Sequence, residues 1–306
     1  MALLTSLAFA EAPKRNVVFI LSDDHRFDFM GFTGKLPWLK TPHMDRMAER
    51  GVYFDQAYVT TSLCSPSRAS ILTGLYAHTH TIVDNQAPNP GNLTYFPEYL
   101  QDAGYQTAFF GKWHMGDESD DPQPGFHHWE SFKGQGVYTG VTLNINGEHT
   151  SYEDTVYTSD LLTEHAVEWM EQLESDQPFF VYLSHKAVHS EFKQAARHAG
   201  MYAGVDYELP ATYSQTHDGS YKDLLWPEWV KEQRHSWHGV DYMYHGKGTV
   251  GDLVIDYCET LMGVDESIGT VMAYLEACGI ADETVVIYMG DNGFSWGEHG
   301  LIDKRH

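Results

Sequence analysis

Residues 16–24 of the chain read NVVFILSDD, a short apolar run that ends in two acidic residues. The run is continuous rather than alternating and contains β-branched side chains, which is typical of a strand buried on both faces of a parallel sheet. In open α/β sheets, ligands bind beyond the carboxyl ends of such strands. The stretch therefore predicts the fold class and also the sheet edge at which Asp23 and Asp24 lie.

Other segments extend this pattern along the chain. Strands are predicted at residues 52–58, 105–110, 178–184 and 284–290, and helices at 42–50, 66–75, 96–103, 159–173 and 252–278. Thr41 is the predicted N-cap of the first helix, and Gly51 ends it. A hairpin is expected within residues 125–150, and residues 200–251 have no clear period, which indicates a long insertion over the active face. Strands that alternate with helices predict an α/β fold with a mainly parallel sheet sandwiched by helices.

The charge excludes one class of function. The 306 residues carry a formal net charge of −24, so no basic surface is expected for nucleic acid. An anionic substrate would need a local group of cations or a bound metal to overcome this field. Three cysteines at wide spacing do not form a disulfide framework, and Cys258 and Cys278 are expected to be small buried apolar residues.

The first ten residues, MALLTSLAFA, resemble the end of a secretory signal peptide with an Ala-x-Ala cleavage site. We therefore expect residues 1–10 to be a leader remnant and the protein to be periplasmic or secreted. No later segment is apolar enough for a membrane span.

Two polar pairs follow the first and last predicted strands. Asp23 and Asp24 end the first strand, and Asp291 and Asn292 end the last. Three carboxylates and one amide oxygen suit Ca²⁺ or Mg²⁺ if the fold brings the pairs together. Either pair alone is more often a turn or a helix cap.

The stretch 63–74 reads LCSPSRASILTG. It resembles the signature of the type I, formylglycine-dependent sulfatases of the alkaline phosphatase superfamily, and the resemblance extends over residues 16–304. It implies an alkaline phosphatase-like fold with residues 11–306 as the catalytic domain. The chain stops at His306, directly after one of these motifs, so we expect the smaller C-terminal subdomain of relatives to be missing.

The resemblance also implies roles for single residues. Cys64 would be converted by a maturation enzyme to formylglycine, whose hydrated form attacks sulfur, and would complete the calcium shell of Asp23, Asp24, Asp291 and Asn292. The remaining catalytic positions implied by the family motifs are Arg68 and Lys112, His114 and His189, and Lys304. Arg68 would hold the nucleophile, Lys112 and Lys304 would bind sulfate, His114 would act as base and His189 would protonate the leaving alcohol.

The expected reaction is removal of sulfate from a sulfated carbohydrate. Alternatives are a phosphonate or phosphodiester hydrolase of the same superfamily and a non-catalytic binder of sulfated glycans. Candidate substrate contacts are the aromatic residues Trp129, Tyr138, Trp226, Trp229 and Trp237, the neighbours His185 and Lys186, and the polar residues His78, His80 and Asn85. The aromatic residues are individually more typical of structural positions.

Overall fold

The computed structural model describes residues 14–116, 119–174, 177–213, 220–246 and 248–305. The predicted leader, residues 1–10, lies outside these residues.

A seven-stranded sheet forms the centre of the described chain, in the order β5-β4-β3-β2-β6-β1-β7. Its strands are β1 (Asn16–Ser22), β2 (Gln106–Lys112), β3 (His128–Phe132), β4 (Thr142–Ile145), β5 (Glu148–Ser151), β6 (Phe179–Ser184) and β7 (Thr284–Gly290). A separate two-stranded hairpin consists of β8 (Ser295–Trp296) and β9 (Ile302–Asp303). Strands β3, β2, β6, β1 and β7 run parallel to one another, whereas β4 runs antiparallel to both of its neighbours, β3 and β5. The predicted mainly parallel sheet is therefore confirmed.

The apolar runs occupy the centre of this sheet. Every residue of β6 is buried, and the last five residues of β1 are buried as well. The predicted bounds of β1 and β7 agree with the observed ones, and β2 continues two residues further than predicted, to Lys112. Strands β1 and β6 lie inside the sheet and show no polar alternation, as expected for burial on both faces. The apolar run at 284–290 was expected to be a buried strand, but β7 is an edge strand in which Val285, Ile287 and Met289 are exposed.

Helices cover both faces of the sheet. They are α1 (Pro42–Arg50), α2 (Cys64–Thr73), α3 (Ala77–His80), α4 (Phe96–Asp102), α5 (Thr158–Glu171), α6 (Glu228–Gln233), α7 (Met243–Gly246) and α8 (Val250–Ala277). One apolar core lies between the sheet and the helices α1, α5 and α8, and a second lies on the side of α2 and α4. Phe19 and Leu21 belong to the second core and Val18 and Ile20 to the first, as the alternation of a strand requires.

The first turn of α1 is stabilised from a distant part of the chain. Thr41 occupies the predicted N-cap position, but its side chain makes no capping hydrogen bond to the helix. The carboxylate of Asp265, on α8, instead accepts hydrogen bonds from the backbone N–H groups of His43 and Met44, at 3.1 and 2.8 Å. The two helices are therefore joined where α1 begins.

Two irregular regions also agree with the predictions in outline. The hairpin expected within residues 125–150 is the antiparallel pair β4–β5, preceded by β3. The insertion at 200–251 contains short helical segments and packs on the β8–β9 hairpin. Tyr207 donates its hydroxyl hydrogen to the carbonyl of Trp296, and Arg234 bonds the carbonyl of Gly300 at 2.6 Å.

Two predictions were wrong. Residues 52–58 form no strand, because no strand in the described part of the chain pairs with them, and the side chains of Val52, Phe54 and Tyr58 are exposed. Cys278 is exposed, since it follows the last turn of α8 and faces outward, whereas Cys258 is buried as expected.

None of the helices in the described residues combines the length and hydropathy of a bilayer-crossing segment.

Candidate active site

The carboxyl ends of four parallel strands converge at one edge of the sheet. Backbone hydrogen bonds join these ends: the N–H of Asp23 donates to the carbonyl of Ala187 at 2.8 Å, and that of Asp291 donates to the carbonyl of Ser22 at 2.9 Å. Lys112 ends the neighbouring strand β2. Side chains that are far apart in sequence are thus brought together by the parallel sheet, as expected for this fold class.

Helix α2 supplies Cys64 and Arg68. The helix begins at Cys64, two residues before the predicted start, so the cysteine lies within the first turn. Its sulfur is 3.4 Å from Asp23 Oδ1 and 3.2 Å from the ammonium nitrogen of Lys304. The unpaired N–H groups at the start of a helix favour negative charge, so an anion bound beside Cys64 would be stabilised by α2. Asn85 accepts a hydrogen bond from the N–H of Ser65 at this end.

Three buried carboxylates lie within reach of a single cation. Ligand oxygens of Asp23, Asp24 and Asp291 are all within 4.8 Å of one another. The adjacent Asn292 donates from Nδ2 to Asp24 Oδ1 at 2.6 Å, whereas its buried Oδ1 has no hydrogen-bond partner among the described residues. A buried, unsatisfied amide oxygen beside three carboxylates is the oxygen-rich donor set that Ca²⁺ and Mg²⁺ prefer, so the residues fit such an ion.

Three cationic side chains neutralise these carboxylates. Lys304 bonds both oxygens of Asp24, at 2.5 and 2.6 Å. Lys112 bonds Asp23, and Arg68 lies between Asp23 and Asp291 at 3.3 and 3.0 Å. The protein carries an excess of negative charge overall, but this site contains a cluster of cations facing Cys64. The three cations balance the three carboxylates, and a bound divalent cation would make the site net positive, as an anionic substrate requires.

Burial and neighbouring charges determine the protonation states of the groups around Cys64. Burial and the neighbouring Asp23 raise the pKa of the Cys64 thiol to about 12, so the unmodified side chain is a neutral thiol and a weak nucleophile. Burial also opposes ionisation of Asp23, but Lys112, His189 and Arg68 together hold its pKa well below the usual range. The pKa of Lys304 is raised well above its usual value: burial opposes this, but the Asp24 carboxylate outweighs it.

Two histidines lie beside the cluster. His189 Nε2 is 4.0 Å from Asp24 Oδ2, and burial followed by Lys112 and Lys304 lowers the pKa of His189 well below 6.5. Burial, Lys112 and Arg68 lower the pKa of His114 to about 2. Both imidazoles are therefore neutral near pH 7, the state in which a histidine can accept a proton.

Sequence reasoning missed one residue of this cluster. The side-chain amide of Gln135 contacts both Lys112 Nζ, at 2.5 Å, and His114 Nε2, at 3.3 Å. Gln135 lies in the loop after β3, and its only sequence signal is the pair of flanking glycines in the segment Gly134-Gln135-Gly136.

The structure separates the remaining candidates. Lys186 is buried 4.9 Å above the ring of Tyr138, and burial followed by Lys112 lowers its pKa to about 8, so it belongs to the wall of the site. His185 instead points toward α8, where its Nε2 lies 3.0 Å from Ser267 Oγ. His185 was only one candidate for contact with substrate, and this position does not support that role, because neighbouring residues at a strand end face opposite sides of the sheet.

The other candidate sugar contacts are either held in contacts within the fold or exposed at the surface. Trp129 is buried in the apolar core, and His80 is buried against Ser70. Asn85 bonds the start of α2, as described above. Trp229 and Trp237 are 58% and 56% exposed, and His78 is also exposed. Trp226 is half-buried, with its ring 6.3 Å from that of His299.

Comparison with known proteins identifies the family of the chain. The family model described as sulfatase matches residues 15–306. N-acetylglucosamine-6-O-sulfatase of Bacteroides thetaiotaomicron is 33% identical over 347 residues, which cover 96% of this chain and 61% of that protein. N-acetylglucosamine-6-sulfatase of Capra hircus is 29% identical over 95% of this chain and 53% of that protein.

A solved structure is similar over a comparable range. It is described as a complex with its substrate D-glucosamine-2-N,6-O-disulfate and matches with a TM-score of 0.80 at 30% identity, over 96% of this chain and 68% of that chain. This chain spans about half to two thirds of the length of these relatives. The match of the family model over nearly all residues shows that the chain belongs to the sulfatase family.

Proposed function

We propose that this protein is a sulfuric ester hydrolase that removes sulfate from a sulfated carbohydrate, with residue 64 as the nucleophile. The observation that carries the proposal is the contact set around Cys64. Its sulfur, at the start of α2, lies beside a carboxylate at 3.4 Å and an ammonium at 3.2 Å, in a chain of the sulfatase family. Such a site can hold both a divalent cation and a sulfate group.

Two groups would complete the chemistry. A Ca²⁺ ion, or Mg²⁺, held by Asp23, Asp24, Asp291 and Asn292 would stabilise negative charge on the sulfate oxygens and orient residue 64. Conversion of Cys64 to formylglycine by a maturation enzyme would replace a weak neutral thiol with the nucleophile that sulfatases of this type use.

The protein's own side chains would bind and orient the ester. Lys112 and Lys304 would hold sulfate oxygens, because both ammonium groups face the nucleophile from buried positions. Arg68, fixed by the carbonyl of Lys112 and the hydroxyl of Ser184 at 2.6 and 2.7 Å, would orient residue 64. Preorganised cations in a site shielded from water stabilise the developing charge of the transition state more than mobile ones.

Proton transfers would be divided between the two histidines. His189 would protonate the oxygen of the leaving alcohol, since it lies on the side of Asp24 and Tyr138, whose hydroxyl donates to the His189 carbonyl at 2.5 Å. His114, on the side of Lys112, would accept the proton when sulfate is released. Because both rings are neutral at pH 7, His189 must first take up a proton from solvent before it can protonate the alcohol.

The substrate class proposed is a glucosamine residue with a 6-O-sulfate. This rests on the names of the two curated relatives and on the sugar bound in the similar solved structure. A primary sulfate ester at O6 projects from the sugar ring, so it can enter a narrow buried site such as that around Cys64 without burying the whole sugar.

The test is sulfate release by the protein co-expressed with a formylglycine-generating enzyme. N-acetylglucosamine-6-sulfate, glucosamine-2-N,6-O-disulfate, an aryl sulfate and a phosphonate monoester would be compared, with Cys64→Ala as the control and conversion of residue 64 checked by mass spectrometry. We expect release from the two 6-O-sulfated sugars and none from the variant.

Other outcomes discriminate between the alternatives. Turnover of the phosphonate alone by fully converted protein would contradict the proposal and favour a phosphonate hydrolase. Sugar binding without turnover of any ester would favour a non-catalytic binder of sulfated glycans. Sulfate release by Cys64→Ala would exclude residue 64 as the nucleophile.

A further inference from the structure

One side-chain amide links two groups that the proposed function uses. Gln135 Oε1 accepts a hydrogen bond from the ammonium of Lys112 at 2.5 Å. On its other side, Gln135 Nε2 lies 3.3 Å from His114 Nε2. The sulfate-binding lysine and the proposed base are therefore connected through a single residue.

The identity of the three groups determines the direction of both hydrogen bonds. An ammonium only donates, so the amide must turn its oxygen toward Lys112. The amide NH₂ then faces His114, and because an NH₂ group only donates, His114 Nε2 must accept. In a neutral imidazole with an accepting Nε2, the proton resides on Nδ1.

His114 carries a single ring proton, so the nitrogen that holds this proton determines which nitrogen can act as a base. Burial, with Lys112 and Arg68 nearby, lowers the pKa of His114 to about 2, so the ring carries one proton and not two. A neutral ring has two tautomers, which differ in the nitrogen that can accept a proton. Selecting the tautomer is therefore equivalent to selecting the basic nitrogen.

The loop that carries Gln135 has little freedom. It is a turn closed by a hydrogen bond of 3.2 Å from the N–H of Gly136 to the carbonyl of Lys133. Gly136 has φ of +65°, and a Cβ atom added there would lie 2.3 Å from the ring of Phe132, so only glycine fits. The turn holds the Gln135 amide between its two partners.

We propose that Gln135 is a positioning residue that keeps His114 in the Nδ1–H tautomer, with Nε2 unprotonated. The hydrogen bond from the Lys112 ammonium fixes the orientation of the Gln135 amide. This inference rests on the proposed function for its catalytic consequence, but the tautomer itself does not depend on it. Protonation of Nε2 would place an N–H against the amide NH₂, so Gln135 also favours return of the ring to its neutral form after each proton transfer.

The direct test is the tautomer of His114 in the calcium-loaded protein. Histidine-selective ¹⁵N labelling and long-range ¹H–¹⁵N spectra distinguish the two nitrogens, and His114→Asn identifies the signals of this ring. We expect the Nδ1–H tautomer in the wild type. In Gln135→Glu, a carboxylate oxygen faces Nε2 and can only accept, so we expect a proton on Nε2.

Turnover gives an independent readout. Gln135→Glu should lower kcat by about 10–100-fold, less than the roughly 10²–10⁴-fold that a general acid or base itself contributes, because Gln135 acts only through His114. Gln135→Met, which neither donates nor accepts as an amide does, should show a mixture of tautomers. Gln172→Glu, a substitution of the same kind at an exposed helix end, should change neither the His114 signals nor kcat.

The outcomes separate this inference from the function. An Nε2–H tautomer in the wild type, or an unchanged tautomer in both folded Gln135 variants, would overturn it even if the enzyme releases sulfate. Failure of the wild type to release sulfate would instead reject the proposed function and leave the tautomer measurement valid. Should circular dichroism show that Gln135→Glu does not fold, Gln135→Met still tests the inference. An unchanged Nδ1–H tautomer in Gln135→Met would then overturn it.

Discussion

The ammonium nitrogen of Lys304 lies 3.2 Å from the sulfur of Cys64, although 240 residues separate them in the sequence. The same nitrogen bonds both carboxylate oxygens of Asp24. Lys304 follows the last residue of the β8–β9 hairpin, on which the insertion 200–251 packs. The position of this cation therefore depends on a small hairpin that is not part of the seven-stranded sheet.

Replacing Lys304 by Ala should affect both activity and metal dependence. We expect kcat/KM for sulfate release to fall by about 10²–10³-fold, because one preorganised cation at the reacting group is lost. Asp24 would also lose its partner, so the midpoint of thermal unfolding should fall more in chelator than with excess Ca²⁺. Thermal scans in both buffers check this.

Lys35→Ala, at an exposed position, is the matched control and should change neither quantity. Equal loss of thermal stability with and without Ca²⁺ would show that Lys304 and a metal ion do not share the same carboxylate.

Asp291→Asn should weaken metal binding and activity together. Asparagine retains an oxygen for the Asp24 N–H group, which lies 3.0 Å from Asp291 Oδ1, but removes one negative charge from the donor set. We expect the Kd for Ca²⁺ to rise at least about tenfold, since affinity depends on the charge of the ligands. Calorimetric titration of metal-free protein measures this directly, and Asp282→Asn on the surface serves as control. An unchanged Kd with lost activity would mean that Asp291 acts through Arg68 alone.

Asp265→Ala should destabilise the protein without touching the active site. The carboxylate accepts hydrogen bonds from the backbone N–H groups of His43 and Met44 at the start of α1. Both groups would lose this partner, and Met44 is buried. The expected loss is about 1–3 kcal/mol of unfolding free energy, measured by urea denaturation. Asp265→Asn retains an acceptor oxygen and should lose less. If the two variants are equally destabilised, the negative charge matters more than the hydrogen bonds.

Glu130→Gln should reduce stability most in a limited pH window. Glu130 bonds His165 Nδ1 at 2.5 Å and His128 Nε2 at 2.8 Å. Burial opposes its ionisation, but these two histidines lower the pKa of Glu130 below 4.5, so its contribution is lost as the pH falls through that lowered value. The hydrogen bond that His165 donates to Glu130 is the main cause that raises the pKa of His165 above 6.5, so that contribution is lost as the pH rises through the raised value.

The difference in unfolding free energy between wild type and Glu130→Gln should therefore be largest between pH 4.5 and 6.5 and smaller on either side. Urea denaturation at a series of pH values measures it. A difference that is constant from pH 4 to pH 8 would show that the ion pairs do not contribute and that only packing is lost.

The sequence alone was sufficient for the central strands and for the residues at their ends. Continuous apolar runs located β1, β6 and β7 to within a residue, and in β1 and β6 these runs reflect burial on both faces. They did not show that β7 is an edge strand with one exposed face, because the position of a strand in the sheet is not a local property. The stretch 63–74 was equally informative, because it combines a cysteine, a helix start and an arginine one turn later.

Only the tertiary structure decided which polar groups meet. The contact of Lys304 with Cys64, the amide of Gln135 between Lys112 and His114, and the cap that Asp265 provides for α1 all join residues without a shared local pattern. The same reason explains the failed strand at 52–58, since local sequence can indicate an extended segment but cannot supply the neighbouring strand that its backbone requires. Local periodicity encodes burial, whereas hydrogen bonds and ion pairs between distant segments exist only once the fold has brought their partners together.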